Sequence, residues 1–199
     1  MKIILIGGTG TIGKAVEKEL GARHDIITVG HSKGEFVTDI TSPESLLALF
    51  QKTGKDDAII VATGKIVFSP MERMNQEKYF VGLKDKLMGQ VNVVLIGRDF
   101  LNEGGSFTLT SGILSHIPIV SGSSASMVNA AIEGFVIGAA IELPRGQRIN
   151  CVSPTVILES MGDYGPFFRG FEPAPAARVA LAYSRSVEGK QTGQIYRVE

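Results

Sequence analysis

One cysteine, Cys151, occurs in 199 residues. A lone thiol excludes an intrachain disulfide, and such usage fits a reducing compartment. No apolar run reaches the roughly 20 residues a membrane span needs. The longest, Ala130–Leu143, contains Glu133 and Glu142. The apolar run Ile3–Ile6 near the N-terminus is too short for the core of a signal peptide. These absences predict a cytoplasmic protein without a membrane partner. Net charge is also absent, with 20 Lys and Arg against 20 Asp and Glu. A nucleic-acid binder would show a basic patch or stripe, and none is visible, so no nucleic-acid partner is expected. Acidic tails and polybasic runs are missing too. His31 and His116 stand at no metal-ligand spacing from any Cys, Asp or Glu cluster, so no metal site is expected.

What is present is an alternation of short β-rich runs and longer helical ones. Strands are expected near 2–6, 26–30, 36–38, 57–62, 106–110, 147–152 and 194–198. Helices are expected near 11–22, 42–54, 74–101 with a break near Gly82, 123–143 and 172–187. Alternation of this kind predicts parallel βαβ units. Runs such as Ile3-Ile4-Leu5-Ile6 and Ala58-Ile59-Ile60-Val61 are apolar throughout, as strands covered on both faces are. The length suits one domain. The expected fold is a single α/β domain over residues 1–199, a Rossmann-like doubly wound parallel sheet in three α/β/α layers. Only about five residues separate the second strand from Phe36, where a parallel crossover normally takes a dozen or more. That unit is expected to lack its helix, with residues 31–35 extended and a very short third strand. The least regular stretch is 155–175.

Between the first strand and first helix stands Gly7-Gly8-Thr9-Gly10-Thr11-Ile12-Gly13. Gly8, Gly10 and Gly13 satisfy G-x-G-x-x-G. In that pattern one glycine permits the tight turn, one admits the pyrophosphate to backbone N–H groups, and one allows helix to pack on strand. The helix N-terminus then offers free N–H groups and partial positive charge to the phosphates. The alternative is a tight turn kept for packing alone. An NAD site usually carries Asp or Glu about 20 residues on. Here the sequence reads Val29-Gly30-His31-Ser32-Lys33, with no carboxylate to repel a 2′-phosphate. Ser32 can donate a hydrogen bond and Lys33 can supply charge, so NADP is expected in preference to NAD. Lys33 could equally be a solvated turn residue.

With several later segments, this turn resembles the short-chain dehydrogenase/reductase family over nearly the whole chain. Asp39-Ile40 resembles the family's acidic residue after the third strand, which contacts adenine. Ala62-Thr63-Gly64 sits where the family has Asn-Asn-Ala-Gly. Gly105-Ser106-Phe107-Thr108-Leu109-Thr110-Ser111 resembles the strand that ends at a catalytic serine, whose place is taken by Ser111 or Gly112. Asn129-Ala130-Ala131-Ile132-Glu133-Gly134-Phe135 resembles the helix that normally carries Tyr-x-x-x-Lys. Arg148–Pro154 resembles the sixth strand, with Pro154-Thr155 in place of Pro-Gly. The resemblance implies cofactor contacts from Gly7, Gly8, Thr9, Gly10, Thr11, Ile12, Gly13, His31, Ser32, Lys33, Asp39, Ala62, Thr63, Gly64 and Pro154. The chain departs from the family at its centre. Asn129 stands at the lysine position and Ala125 at the tyrosine position, while Lys86 replaces the asparagine of the preceding helix. The chain thus resembles a divergent subgroup without the usual Tyr-x-x-x-Lys residues.

Carbonyl reduction needs hydride from the nicotinamide and a proton from a group with a pKa near the working pH. Alanine cannot donate a proton. Candidates for the catalytic role are Ser111, Lys86 and Tyr164. Their bland alternatives are a strand-end cap, a solvated helix lysine and a surface aromatic. Ser123 and Ser124 are read as N-cap residues of the following helix. Two functions follow. One is an NADP-dependent oxidoreductase acting on a small carbonyl or alcohol substrate with a rearranged proton donor. The other is a catalytically inactive NADP-binding sensor or scaffold. The helix from Met127 to Leu143 is apolar nearly all round, whereas a helix on one sheet face needs a single apolar stripe. A homodimer or homotetramer through the helices near 74–101 and 123–143 is therefore expected, unless the 155–175 stretch covers that surface.

Overall fold

The computed structural model describes residues 1–199. Seven strands form one parallel sheet: β1 (Lys2–Ile6), β2 (Asp25–Gly30), β3 (Phe36–Val37), β4 (Asp56–Val61), β5 (Leu101–Thr110), β6 (Arg148–Pro154) and β7 (Ile195–Val198). Their order is β3-β2-β1-β4-β5-β6-β7. The helices are α1 (Thr11–Leu20), α2 (Pro43–Thr53), α3 (Gln76–Gly82), α4 (Gly89–Gly97), α5 (Ser123–Ala139), α6 (Met161–Tyr164) and α7 (Ala176–Glu188). This is the Rossmann-like α/β fold in a single domain.

The strands show why both faces are covered. Successive side chains point to opposite faces of a sheet. Accordingly Ile4 and Ile6 join the core beneath α2, α4 and α5, while Ile3 and Leu5 join the core beneath α1 and α7. All four are at most 2% exposed, which accounts for a strand without polar alternation.

The missing crossover helix is as the short connection predicts. Residues 31–35 carry the chain from β2 to a two-residue β3 as a run of bends, not in the extended form expected, because β3 must pair in parallel beside β2, with register Val29↔Phe36 and Gly30↔Val37. The expected helix over 74–101 is three pieces instead. Its α-helical parts flank a π-helical segment, Leu83–Met88, so the break lies just past Gly82. The helix expected to 143 ends at Ala139, and the one expected from 172 begins at Ala176. Strand β5 starts five residues earlier than expected, at Leu101, with a register shift against β4 between Asp56 and Ala58. The N-cap of α5 is Gly122, not Ser123 or Ser124. Ser123 instead shares a hydrogen bond with the Tyr79 hydroxyl at 3.0 Å, and Ser124 is buried. No helix is long and apolar enough to cross a membrane.

The 155–175 stretch leaves the sheet and returns through a closed neck. Leu158 N–H donates to Ala174 O and Ala174 N–H donates to Val156 O. The Glu159 carboxylate accepts from Ala176 N–H at 2.9 and 3.1 Å, capping α7, which Pro175 cannot cap with its own side chain.

Candidate functional site

In an open parallel sheet, ligands bind beyond the carboxyl ends of the strands where the strand order reverses. Here the reversal falls between β1 and β4. A groove and a cavity meet at that point. The groove, about 210 Å³, is lined by Gly7, Thr9, Gly10, His31, Ser32, Asp39 and Thr63, among others. The cavity, about 290 Å³, includes Thr11, Ile12, Gly64, Ser111, Pro154 and Tyr164 in its lining. Ala62 lines both, so the two adjoin at the tip of β4.

The glycine turn is shaped by close backbone approach. Gly7 has φ +90, and a Cβ there would lie 2.5 Å from Ala62 O. At Gly13 a Cβ would stand 2.1 Å from Gly7 O. Gly8 and Gly13 are buried, so their part is to hold the turn. Gly10 caps α1 without a side-chain bond, which leaves first-turn N–H groups of α1 open at the groove. That combination suits a pyrophosphate. Asp39 accepts from the Thr41 hydroxyl and Thr41 N–H, each at 2.8 Å, which holds its carboxyl below the ordinary range. His31 and Ser32 line the groove. Lys33 is exposed and does not.

The cavity is mostly apolar, with Ile66, Phe68, Ile113, Leu114, Val156 and Phe168 in its walls. Lys86 is the one charged residue lining it. The solvated-lysine reading of Lys86 is overturned, since the residue is 8% exposed. Its Nζ donates to Asn129 Oδ1 at 2.7 Å and to Ser111 O at 3.0 Å, both neutral acceptors. Burial without a counter-charge pushes the ammonium down to about 8. The Lys86 chain also passes beneath Gly64, where a Cβ would come within 2.4 Å of Lys86 Cγ.

Ser111 follows β5 and does more than cap it. Its Oγ donates to Glu133 Oε1 at 2.8 Å, and Ser153 Oγ donates to the same oxygen at 3.0 Å. Arg197 Nη2 reaches Glu133 Oε2 at 3.5 Å. A carboxylate only accepts, so it holds the Ser111 proton away from the cavity. Tyr164 reaches the cavity from the far side. Its ring lies 5.9 Å edge-on from Phe68, which also meets Phe167 at 5.2 Å and Phe168 at 6.4 Å. This aromatic cluster packs the 155–175 stretch against Phe68 in the cavity wall. Tyr164 is 42% exposed. Asn129, Glu133 and Phe68 are functional candidates that residue-by-residue reading passed over. The available signal was Asn129 and Glu133 four apart, on one face of an otherwise apolar helix.

The profile of the family described as enoyl-(acyl carrier protein) reductase matches residues 14–194. The chain belongs to the short-chain dehydrogenase/reductase family. The chain is 50% identical to the protein lin1944 from Listeria innocua, with each chain covered completely and a TM-score of 0.98. A crystal structure described as a small-chain dehydrogenase is 25% identical at TM-score 0.86, covering 100% of this chain and 96% of that one. A small-chain dehydrogenase solved in complex with NADPH is 24% identical at TM-score 0.89, with the same coverage. No curated protein is significantly similar to the chain.

Proposed function

We propose that this protein is an NADP-dependent oxidoreductase that interconverts a small, largely apolar carbonyl compound and its alcohol. One observation carries the reading: a glycine-walled groove at an uncapped helix N-terminus adjoins an apolar cavity lined by a single buried cation. The groove suits the adenosine and pyrophosphate parts of a dinucleotide. The cavity suits the nicotinamide ring beside Ile12 and Pro154, with the space toward Phe68 left for substrate. A bound nicotinamide supplies hydride. The protein's residues orient the carbonyl, exclude water through the aromatic cluster and provide the proton. Ser111, Lys86 and Tyr164 are the candidates for polar contact with substrate, and the residues lining the groove are those that hold the cofactor. Loss of NADPH absorbance in the presence of short aldehydes and cyclic ketones tests the reading. Steady oxidation saturating with substrate supports it. Tight NADPH binding with no turnover of any carbonyl would favour the sensor or scaffold reading instead.

NADP is preferred because no carboxylate follows β2 where a ribose 2′-OH would be bonded, and His31 and Ser32 face the groove. Ser32→Asp should weaken NADPH relative to NADH by roughly tenfold or more, since it sets a negative charge beside the 2′-phosphate. Lys33→Glu should act in the same direction but less, its position being outside the groove lining. Equal losses for both cofactors after Ser32→Asp would show that this turn does not read the phosphate.

The outer face of α5 supports self-association. Met127, Ala130, Gly134, Ile137 and Gly138 are exposed, and the 155–175 stretch does not cover them. A Cβ on Gly134 or Gly138 would meet nothing within 4 Å, so neither glycine is required by this chain's own packing. Phe80, Val81 and Leu95 on the neighbouring helices are exposed as well. A patch of this kind is normally buried against a partner, and a two-fold pair would match it to itself. Light scattering at micromolar concentration is expected to give a dimer or tetramer, and Ile137→Lys a smaller species. A monomeric parent protein would refute this surface.

A further inference from the structure

The proton donor can be assigned by asking which cavity group has a proton to give. Ser111 does not, because its hydroxyl proton is held by Glu133. Tyr164 stands on the aromatic side, 42% exposed and packed on Phe68. An ammonium has three protons. At Lys86, Ser111 O and Asn129 Oδ1 take two of them. The third is left for the cavity that Lys86 lines. Asn129 lines the same cavity, and its Oδ1 is occupied by Lys86, so its Nδ2 donors remain. A Cβ at Gly112 would stand 3.1 Å from that Nδ2. The glycine therefore keeps the amide open. Two donors on adjoining side chains therefore line one cavity.

We propose that Lys86 protonates the substrate oxygen while Asn129 holds that oxygen beside it, so that the reacting cation comes from the π-helical segment before α4 and not from α5. The proposal rests on the oxidoreductase reading above. In the reducing direction hydride arrives at the carbonyl carbon from a reduced nicotinamide dinucleotide, which leaves oxidised. The C=O π pair moves onto oxygen, and an Nζ–H proton follows it. The products are the alcohol and a neutral Lys86 amine, which regains its proton from water. The π-helical turn accounts for the placement, since π segments often mark functional positions, and this one sets a lysine into the cavity wall. The groups around Nζ leave its proton free to move. Cys151 on β6 is a neutral thiol pushed up to about 12 by burial. Glu133 on α5 is engaged by Ser111, Ser153 and Arg197. Asp85 accepts from Lys65 N–H at 2.6 Å.

The test has two arms. In the first, the intact protein is alkylated with benzaldehyde and cyanoborohydride across a pH series, and labelled lysines are counted by peptide mass spectrometry. Lys86 should reach half-labelling near pH 8, well below ordinary lysines at about 10.4. Saturating NADPH should slow its labelling. Titration of Lys86 together with the surface lysines, or no labelling of Lys86, would overturn the assignment. In the second arm, benzaldehyde reduction is measured on variants whose NADPH binding is checked by calorimetry. Lys86→Asn should lose roughly 10²–10⁴-fold in kcat and keep NADPH affinity within a few-fold. The exchange Lys86→Asn with Asn129→Lys should regain at least tenfold of that loss, by returning an ammonium from the opposite helix. Unchanged kcat in Lys86→Asn would also refute the proposal. Absence of NADPH binding by the parent protein would instead refute the oxidoreductase reading, while the labelling arm still decides the state of Lys86.

Discussion

Gly13→Ala should lose both NADPH binding and stability, whereas Gly10→Ala should lose binding alone. At Gly13 the new carbon would lie 2.1 Å from Gly7 O and 2.7 Å from Gly8 Cα. Both are backbone atoms, so no side chain can rotate aside. The start of α1 must lift from the turn, at a cost of about 1–3 kcal/mol by the usual scale of overpacking. At Gly10 the nearest atom is Gly7 O at 3.4 Å, an ordinary contact. The added methyl there occupies groove space, where a pyrophosphate would approach the N–H groups of α1. Thermal unfolding and calorimetric titration separate the two variants. NADPH affinity in Gly13→Ala equal to that of the parent would show that the turn is not the binding element.

The second large effect concerns stability. Lys86 is lowered from 10.5 to about 8 by burial, so the folded state disfavours its charge. The unfolded chain binds more protons than the folded one between about pH 8 and 10.5, and stability contributed by this group rises with pH across that window. Below pH 8 the penalty is fully present, at about 3 kcal/mol. Lys86→Met removes it and keeps the volume. It also strands Ser111 O and Asn129 Oδ1, which costs about 1–3 kcal/mol for each. At pH 7 the two effects are of similar size, so the variant should stand within about 3 kcal/mol of the parent. By pH 10.5 the balance should have moved by about 3 kcal/mol in the parent's favour. Denaturant unfolding of both proteins at the two pH values measures the change. A difference independent of pH would mean that Lys86 is not buried as an unpaired cation.

Much of the architecture was legible because the signals were local. Ile3–Ile6 and Ala58–Val61 are apolar at every position, which only a strand covered on both sides satisfies. The five residues before Phe36 left no room for a helix, and β3 is correspondingly two residues long. The interruption near Gly82 was visible, but not its nature. A π turn changes which carbonyl each N–H finds, and hydrophobic spacing does not record that. Because Lys86 sits in that turn, its burial was equally illegible, and a lysine read alone suggests solvent. Ser123 and Ser124 have the chemistry of caps, yet the turn at Gly122 takes that place and Ser124 enters the core. The catalytic candidates came from separate segments, and only the fold shows that Ser111 is tied to Glu133 and Lys86 to Asn129.

The central claim is that the groove along the Gly7–Gly13 turn holds a nicotinamide dinucleotide. Isothermal titration of the intact protein with NADPH, and separately with NADH, tests it most directly. The account predicts saturable binding of NADPH at one site per chain, with NADH weaker. No binding of either cofactor to the folded protein would contradict it.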